Sequence, residues 1–143
     1  MFTTRAYIRK NTPELRERLK GLGYGICPCT EFDGAVWLSA YAPTNSVHGI
    51  GYFGEDSPYK TQEEALAAHE RETQAIDCGS NEALFLAIAA LRNDSDHMQW
   101  LCDYRGENWV QCTQQVYEGD RESHTGPLHK ASVEELIKHF SSL

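Results

Sequence analysis

The sequence lacks a long apolar run. Its longest strictly apolar stretch, Ala83 to Leu91, is nine residues, less than half of the roughly 20 that an α-helix needs to span a bilayer. The N-terminus, Met1-Phe2-Thr3-Thr4-Arg5, has neither an apolar core nor a small-residue cleavage site, so it does not read as a secretory leader. These two absences predict a cytoplasmic protein with no membrane partner. Cysteine is sparse and odd in number: Cys27, Cys29, Cys78, Cys102 and Cys112. Without a leader, that count predicts reduced thiols and not a disulfide framework. G-x-S-x-G, H-E-x-x-H and P-loop motifs are all missing, which removes the commonest sequence signatures of acyl transfer, zinc proteolysis and nucleotide hydrolysis.

An excess of positive charge is also lacking. The net charge is −8 over 143 residues. It is uneven: residues 1–20 hold Arg5, Arg9, Lys10, Arg16, Arg18 and Lys20 against Glu14 and Glu17, an excess of +4, so the other 123 residues carry −12. Bulk acidity repels a phosphate backbone, so direct nucleic-acid binding is not expected, while a local anion site at the N-terminal end remains open.

With 41% apolar and 24% charged residues, the chain has the composition of a packed domain and not of a disordered segment. Its size suits one domain, 1–143, needing no staple. Helix starts are marked four times: Thr12-Pro13-Glu14, Thr61-Gln62-Glu63-Glu64, Ser80-Asn81-Glu82 and Ser132-Val133-Glu134-Glu135. In each, a hydroxyl can accept from an orphan N–H of the first turn, and carboxylates sit at the positive end of the helix dipole. Thr61/Glu64 and Ser132/Glu135 have capping-box spacing. Leu15, Leu19 and Leu22 form an apolar stripe, as do Val133, Leu136, Ile137 and Phe140. The helix over 81–92 is apolar on every side and is expected to be central and buried. The helix from Thr61 should pack on one narrow face.

Strands are expected over 2–9, 24–29, 35–41, 47–53, 97–102 and 108–113, the last two flanking the hairpin loop Asp103 to Glu107. Gln114 to Leu128 reads as a surface loop. The fold class is therefore α+β, a single domain of antiparallel sheet or sheets with about four helices.

Gly49-Ile50-Gly51-Tyr52-Phe53-Gly54 matches G-x-G-x-x-G, but the dinucleotide motif opens a helix on its last glycine, and Glu55-Asp56-Ser57-Pro58 follows here. A glycine-containing strand is the plainer reading. Cys27-Pro28-Cys29 with Cys102 and Cys112 could be drawn as a four-cysteine zinc site, but neither half has the usual spacing, so no metal and no cofactor is expected. Asp94-Ser95-Asp96 reads as a polar turn. The least ordinary feature is Arg5-Tyr7-Arg9, which a strand places on one face beside Lys10. Two guanidinium forks with a ring between them suit a phosphate and a base. The ordinary alternative is a solvated or helix-covered face. Trp109 and Tyr104 of the hairpin are the candidate protein interface. Hairpin register decides whether Trp109 shares the face of Trp100 or lies opposite it as an exposed anchor.

Tyr7-Ile8-Arg9-Lys10-Asn11-Thr12-Pro13-Glu14-Leu15 and Ile76-Asp77-Cys78-Gly79-Ser80-Asn81-Glu82, with Leu84 to Arg92, Asp94-Ser95-Asp96 and Gln99-Trp100, together with Lys130 to Phe140, resemble small uncharacterised proteins of prophages and mobile elements of gut bacteria. The resemblance covers about half the chain, and no catalytic residue comes with it. It implies a setting in which accessory proteins modulate or antagonise a host system, including host defence. The first expectation is thus a non-enzymatic binding protein that occupies a host protein, an acidic surface meeting a basic partner. The alternative is a small-ligand binder that captures an anionic nucleotide at the basic N-terminal strand face. A third is a small hydrolase using a cysteine or histidine. Oligomeric state is open, a dimer included.

Overall fold

The structure, a computed structural model, describes residues 2–26, 35–41, 45–51, 61–94, 97–112, 122–123 and 126–141. In chain order the elements are β1 (Ala6–Ile8), α1 (Pro13–Leu22), β2 (Gly25–Ile26), β3 (Ala35–Tyr41), β4 (Ser46–Gly51), α2 (Gln62–Thr73), β5 (Ile76–Asp77), α3 (Glu82–Ala89), β6 (Trp100–Cys102), β7 (Trp109–Gln111), β8 (Glu122–Ser123), β9 (Gly126–Pro127), β10 (His129–Lys130) and α4 (Val133–Ser141). The fold class is α+β, with four helices and sheets dominated by antiparallel pairs.

The largest sheet has the order β2-β4-β3-β1-β5. Its middle is antiparallel, β4 to β3 to β1, while β2 joins β4 and β5 joins β1 in parallel. Both faces of β1 are covered. Ala6 and Ile8 point into the main core with Leu15, Leu19, Leu38, Phe85 and Ile88. Tyr7 points the other way, into a smaller cluster with Trp37, Leu66 and Ala75 under α2. That is why a three-residue strand is buried at every position.

Local chemistry explains the helix ends. The Thr12 hydroxyl accepts from the Leu15 N–H at 3.2 Å, and Pro13 opens α1, where a missing N–H costs nothing. Gly23 closes α1 at φ +112°, its N–H on the Lys20 carbonyl at 3.0 Å. A side chain there would be strained by the backbone and would meet Arg92 at 3.3 Å. Ser132 and Glu135 complete the reciprocal box at α4, with Glu135 N–H on the Ser132 hydroxyl at 3.2 Å and Ser132 N–H on the Glu135 carboxylate at 3.0 Å. One start differs from the sequence reading. The cap of α3 is Asn81, whose side chain accepts from the Leu84 N–H at 3.1 Å, while Ser80 lies exposed in the preceding turn.

As anticipated for a helix apolar on all sides, α3 is central: it packs on β1, α1 and α4. Leu84, Phe85, Ala87, Ile88 and Ala89 are buried, but Ala83 is exposed and Leu86 half-buried, so its span is shorter and one edge of it is open. The second sheet, β10-β6-β7, is antiparallel throughout. The expected surface loop 114–128 is only partly described. Within it β8 and β9 pair, and Leu128 is buried against Leu101 and Cys112. Gly49 to Gly51 belong to β4, the strand reading of the glycine motif. Its last residues, 52–54, lie outside the described residues, and the next helix starts only at Gln62.

Candidate functional site

The basic N-terminal face is the first place to look, and its groups are already engaged. Arg5 donates to the Thr73 carbonyl at 3.2 Å. Tyr7 is fully buried, and its hydroxyl donates to Glu70 at 3.1 Å. Burial, with Asp77 and Glu70 nearby, raises the Tyr7 phenol above its ordinary range. Arg9 pairs with Asp77 at 3.2 Å and Glu63 at 3.6 Å, and Lys10 with Glu82 at 3.1 Å. Burial raises the Asp77 carboxyl, but the Gly79 N–H and Arg9 outweigh it and hold the group below its usual value. Arg5, Tyr7, Arg9 and Lys10 are therefore brought together, but by α2 and the carboxylates of the fold. A base has no route to the ring of Tyr7.

The hairpin gives a different picture. Cys102 pairs with Trp109, Leu101 with Val110 and Trp100 with Gln111. Directly opposed residues share a face, so Trp109 lies on the same face as Trp100 and is half-buried, not opposite it. On the other side of Cys102 stands His129 of β10. The three strands thus carry a row, His129, Cys102 and Trp109, on one face. Helix α4 lies over that row. Its Glu135 reaches Cys102 and His129, and its His139, one turn on, stacks on the Trp109 ring with centroids 3.9 Å apart.

The hairpin turn is pinned from below. Asp103, 1% exposed, accepts from the N–H groups of Arg105 and Glu107 at 3.1 and 3.0 Å and from the Asn108 amide at 2.8 Å. The turn closes through Gly106 at φ +71°, and the Trp109 indole N–H donates to the Gly106 carbonyl at 3.0 Å. What the turn presents is Tyr104. It is 79% exposed, yet its ring lies 4.5 Å from that of His129, nearly parallel. Tyr104, Arg105, Trp109, Lys138 and His139 line a cleft of about 380 Å³ beside Glu135.

Within the row, the Cys102 thiol donates to Glu135 Oε2 at 3.1 Å and lies 3.6 Å from His129 Nε2, which in turn is 3.0 Å from both Glu135 oxygens. Burial, then the neighbouring Glu135 carboxylate, pushes the thiol up to about 12. Burial opposes ionisation of Glu135 too, but the Ser132 N–H, the Cys102 thiol and His129 bring it down to about 2. His129 Nδ1 is buried with no partner among the described residues.

A second cavity, about 520 Å³, opens between α1, α3, β6 and α4. Leu22, Leu86, Met98, Trp100 and Phe140 form much of its wall.

Cys102 and Cys112 do not converge. Cys102 belongs to the main core and Cys112 to the cluster on the opposite sheet face, so the hairpin half of a four-cysteine site does not form. Cys27 and Cys29 lie outside the described residues, as do Ser95 and Asp96; Asp94 pairs with Arg92 at 2.6 Å. His129 and Glu135 were not singled out from sequence as site residues. The signal for Glu135 was its capping-box position, and His129 had none without the pairing of β10 to β6. Comparison with family models, with curated proteins and with solved structures finds no match.

Proposed function

We propose that the chain is a non-enzymatic accessory binding protein, of the kind carried by phages and mobile elements. On this reading it modulates a host protein by occupying it through Tyr104, Arg105 and Trp109. The observation that carries the reading is the convergence of these three side chains in one cleft. Tyrosine, arginine and tryptophan are the residue types that dominate binding hot spots. Tyr104 is exposed, with its ring stacked on His129 and its backbone in a turn that Asp103 pins, and on this reading those contacts limit the side-chain entropy lost on binding. The net charge of −8 favours approach to a partner of positive charge. Within the cleft, Arg105 and Lys138 favour a carboxylate on the docking segment, because the one acidic lining residue, Glu135, is engaged by Cys102, His129 and Ser132.

The geometry gives less to the other two readings. An anionic nucleotide at Arg5, Tyr7, Arg9 and Lys10 would have to displace the ion pairs with Glu63, Asp77 and Glu82 and lift α2 off Tyr7. A cysteine hydrolase needs a thiol that ionises readily on one nitrogen of a histidine base and the group that orients that histidine on the other. The Cys102 thiol is pushed away from ionisation, and His129 turns one nitrogen to both Cys102 and Glu135.

The test is a photo-crosslinking phenylalanine analogue placed at position 104 and expressed in a bacterial host. The expected result is one dominant crosslinked protein, lost in the Arg105→Ala plus Trp109→Ala background while the far-UV spectrum is unchanged. Crosslinks that are diffuse, or that survive both substitutions, would defeat the reading.

A further inference from the structure

Three side chains from three elements, Cys102 of β6, His129 of β10 and Glu135 of α4, bring a sulfur, a nitrogen and an oxygen within 4.8 Å of one another. We infer that they form a binding site for a divalent transition metal of the zinc class, with thiolate, imidazole and carboxylate donors and a fourth position left for water or a partner group.

The spacing supports this. Bonds of about 2.0 Å to nitrogen and oxygen and about 2.3 Å to sulfur put ligand atoms about 3.3–3.6 Å apart at tetrahedral angles. The observed separations are 3.6 Å for sulfur to nitrogen, 3.1 Å for sulfur to Glu135 Oε2 and 3.0 Å for nitrogen to that same oxygen. An ion needs only a few tenths of an ångström of spreading. The donor set selects the class of ion, since a thiolate disfavours magnesium and calcium, which take oxygen ligands. The supports are rigid. Cys102 and His129 are directly paired across two strands, and the Ser132 N–H holds Glu135 Oε1, leaving Oε2 on the side of the thiol. His129 and Glu135 are 26% and 33% exposed, so an ion can reach the site although the sulfur is buried. On binding, the thiol proton leaves to the buffer, and the neutral imidazole carries its proton on Nδ1. Glu135 also lines the Tyr104–Trp109 cleft, but the site requires no partner there.

The competing account is that these contacts are simply hydrogen bonds around a capping box. Titration of chelator-treated full-length chain with Co(II) separates the two. The expected result is one cobalt per chain, a sulfur-to-cobalt charge-transfer band, visible bands of tetrahedral intensity, and displacement of all of them by Zn(II). Cys102→Ser should abolish the charge-transfer band. Glu135→Gln keeps the capping box, because glutamine serves there as well, and should weaken cobalt binding by about 10–100-fold or more. Cys112→Ser, on the other sheet face, should change nothing. Absence of cobalt bands in a folded wild-type chain overturns the inference, as does a charge-transfer band that survives Cys102→Ser.

Discussion

Tyr7 and Cys102 are both fully buried strand residues, and each donates to a glutamate on a covering helix at 3.1 Å, Glu70 in one case and Glu135 in the other. Their surroundings differ. Around Tyr7 the charges alternate: Arg9 meets Asp77 and Glu63, Lys10 meets Glu82, and Arg5 caps the Thr73 carbonyl. Opposite signs answer one another, and the cluster is closed. Around Cys102 the converging groups are all Lewis bases, and among the described residues the one ion-pair partner of Glu135 is a histidine. A closed cluster stabilises a fold and offers little to a ligand. A cluster of bases sharing protons has an arrangement that a cation can take over. Residue type does not separate the two cases, since both use strand residues against helical glutamates. The sign of the neighbours does.

The largest effect expected is at the element that joins the two regions. Ile88 is fully buried on α3, which packs on β1 of one sheet and on α4 over the other. Ile88→Asp places an unpaired carboxylate there and should abolish soluble folded protein. Leu86→Asp, at the half-buried edge along the 520 Å³ cavity, should stay folded with a lowered melting temperature. Equal tolerance of both, read by soluble yield and thermal melts, would mean that α3 is not the shared core.

The next effect sharpens the contrast directly. An ion that binds only the folded state at 100 times its dissociation constant adds about 2.7 kcal/mol. Excess Zn(II) should therefore raise the wild-type unfolding free energy by an amount of that order and leave Cys102→Ser almost unmoved. Tyr7→Phe should lose about 1 kcal/mol through its hydrogen bond and respond to zinc as wild type does. If Tyr7→Phe also loses the zinc response, the two clusters are not separate.

A pH effect of intermediate size belongs to the closed side. Burial lowers His69, whose ring nitrogens contact the Tyr41 hydroxyl at 2.8 Å and the Ser39 hydroxyl at 3.1 Å. A histidine with a folded pKa below its unfolded value of about 6.5 takes up a proton on unfolding. Stability is then level above about pH 7 and falls as pH drops through the unfolded value, by up to about 1.4 kcal/mol per pH unit per proton. His69→Gln should flatten the denaturant midpoint between about pH 7 and pH 5. A slope unchanged by that substitution would assign the titration to another group, such as His48, which burial also lowers.

How far the sequence foretold these regions depends on what each rests on. The α1 stripe, the Ser132/Glu135 box and the span of β3 follow from local periodicity and hydrogen-bonding chemistry, and they stand as read. Arg5, Tyr7 and Arg9 do lie together, but what engages them, the Thr73 carbonyl for Arg5, Glu70 for Tyr7, and Glu63 and Asp77 for Arg9, depends on α2 and β5 folding back from more than 50 residues away, which no local pattern carries. The Cys102–His129–Glu135 cluster depends on β10, two residues long at the end of a polar stretch, pairing with β6. A strand of that length has no periodicity to detect, so its histidine could not be placed beside the cysteine. The face of Trp109 turns on the hairpin register, which a one-residue change of loop length reverses, and the sequence does not mark where the turn begins and ends to within one residue.

The smallest effect tests the joint between the two regions at one residue. The sequence pattern puts the cap of α3 on the Ser80 hydroxyl, whereas the cap is the adjacent Asn81, whose side chain has two arms. Its oxygen accepts from the Leu84 N–H at 3.1 Å, and its amide nitrogen donates to the Phe140 carbonyl near the end of α4 at 3.0 Å. A serine can supply the first contact and, with one short hydroxyl, not the second. Ser80→Ala should therefore leave the denaturation midpoint nearly unchanged. Asn81→Ser should keep the cap, lose the link to α4 and cost about 0.5–1.5 kcal/mol. Asn81→Ala should lose both and cost about 1 kcal/mol more for the missing cap. The Phe140 carbonyl is freed in both variants, so their difference isolates the cap, and the step from wild type to Asn81→Ser isolates the link. An Asn81→Ser midpoint equal to wild type would mean that apolar packing of α3 on α4 holds the two regions together without this bond. In that case Leu136 and Phe140, both buried on α4, are the residues whose truncation should separate them.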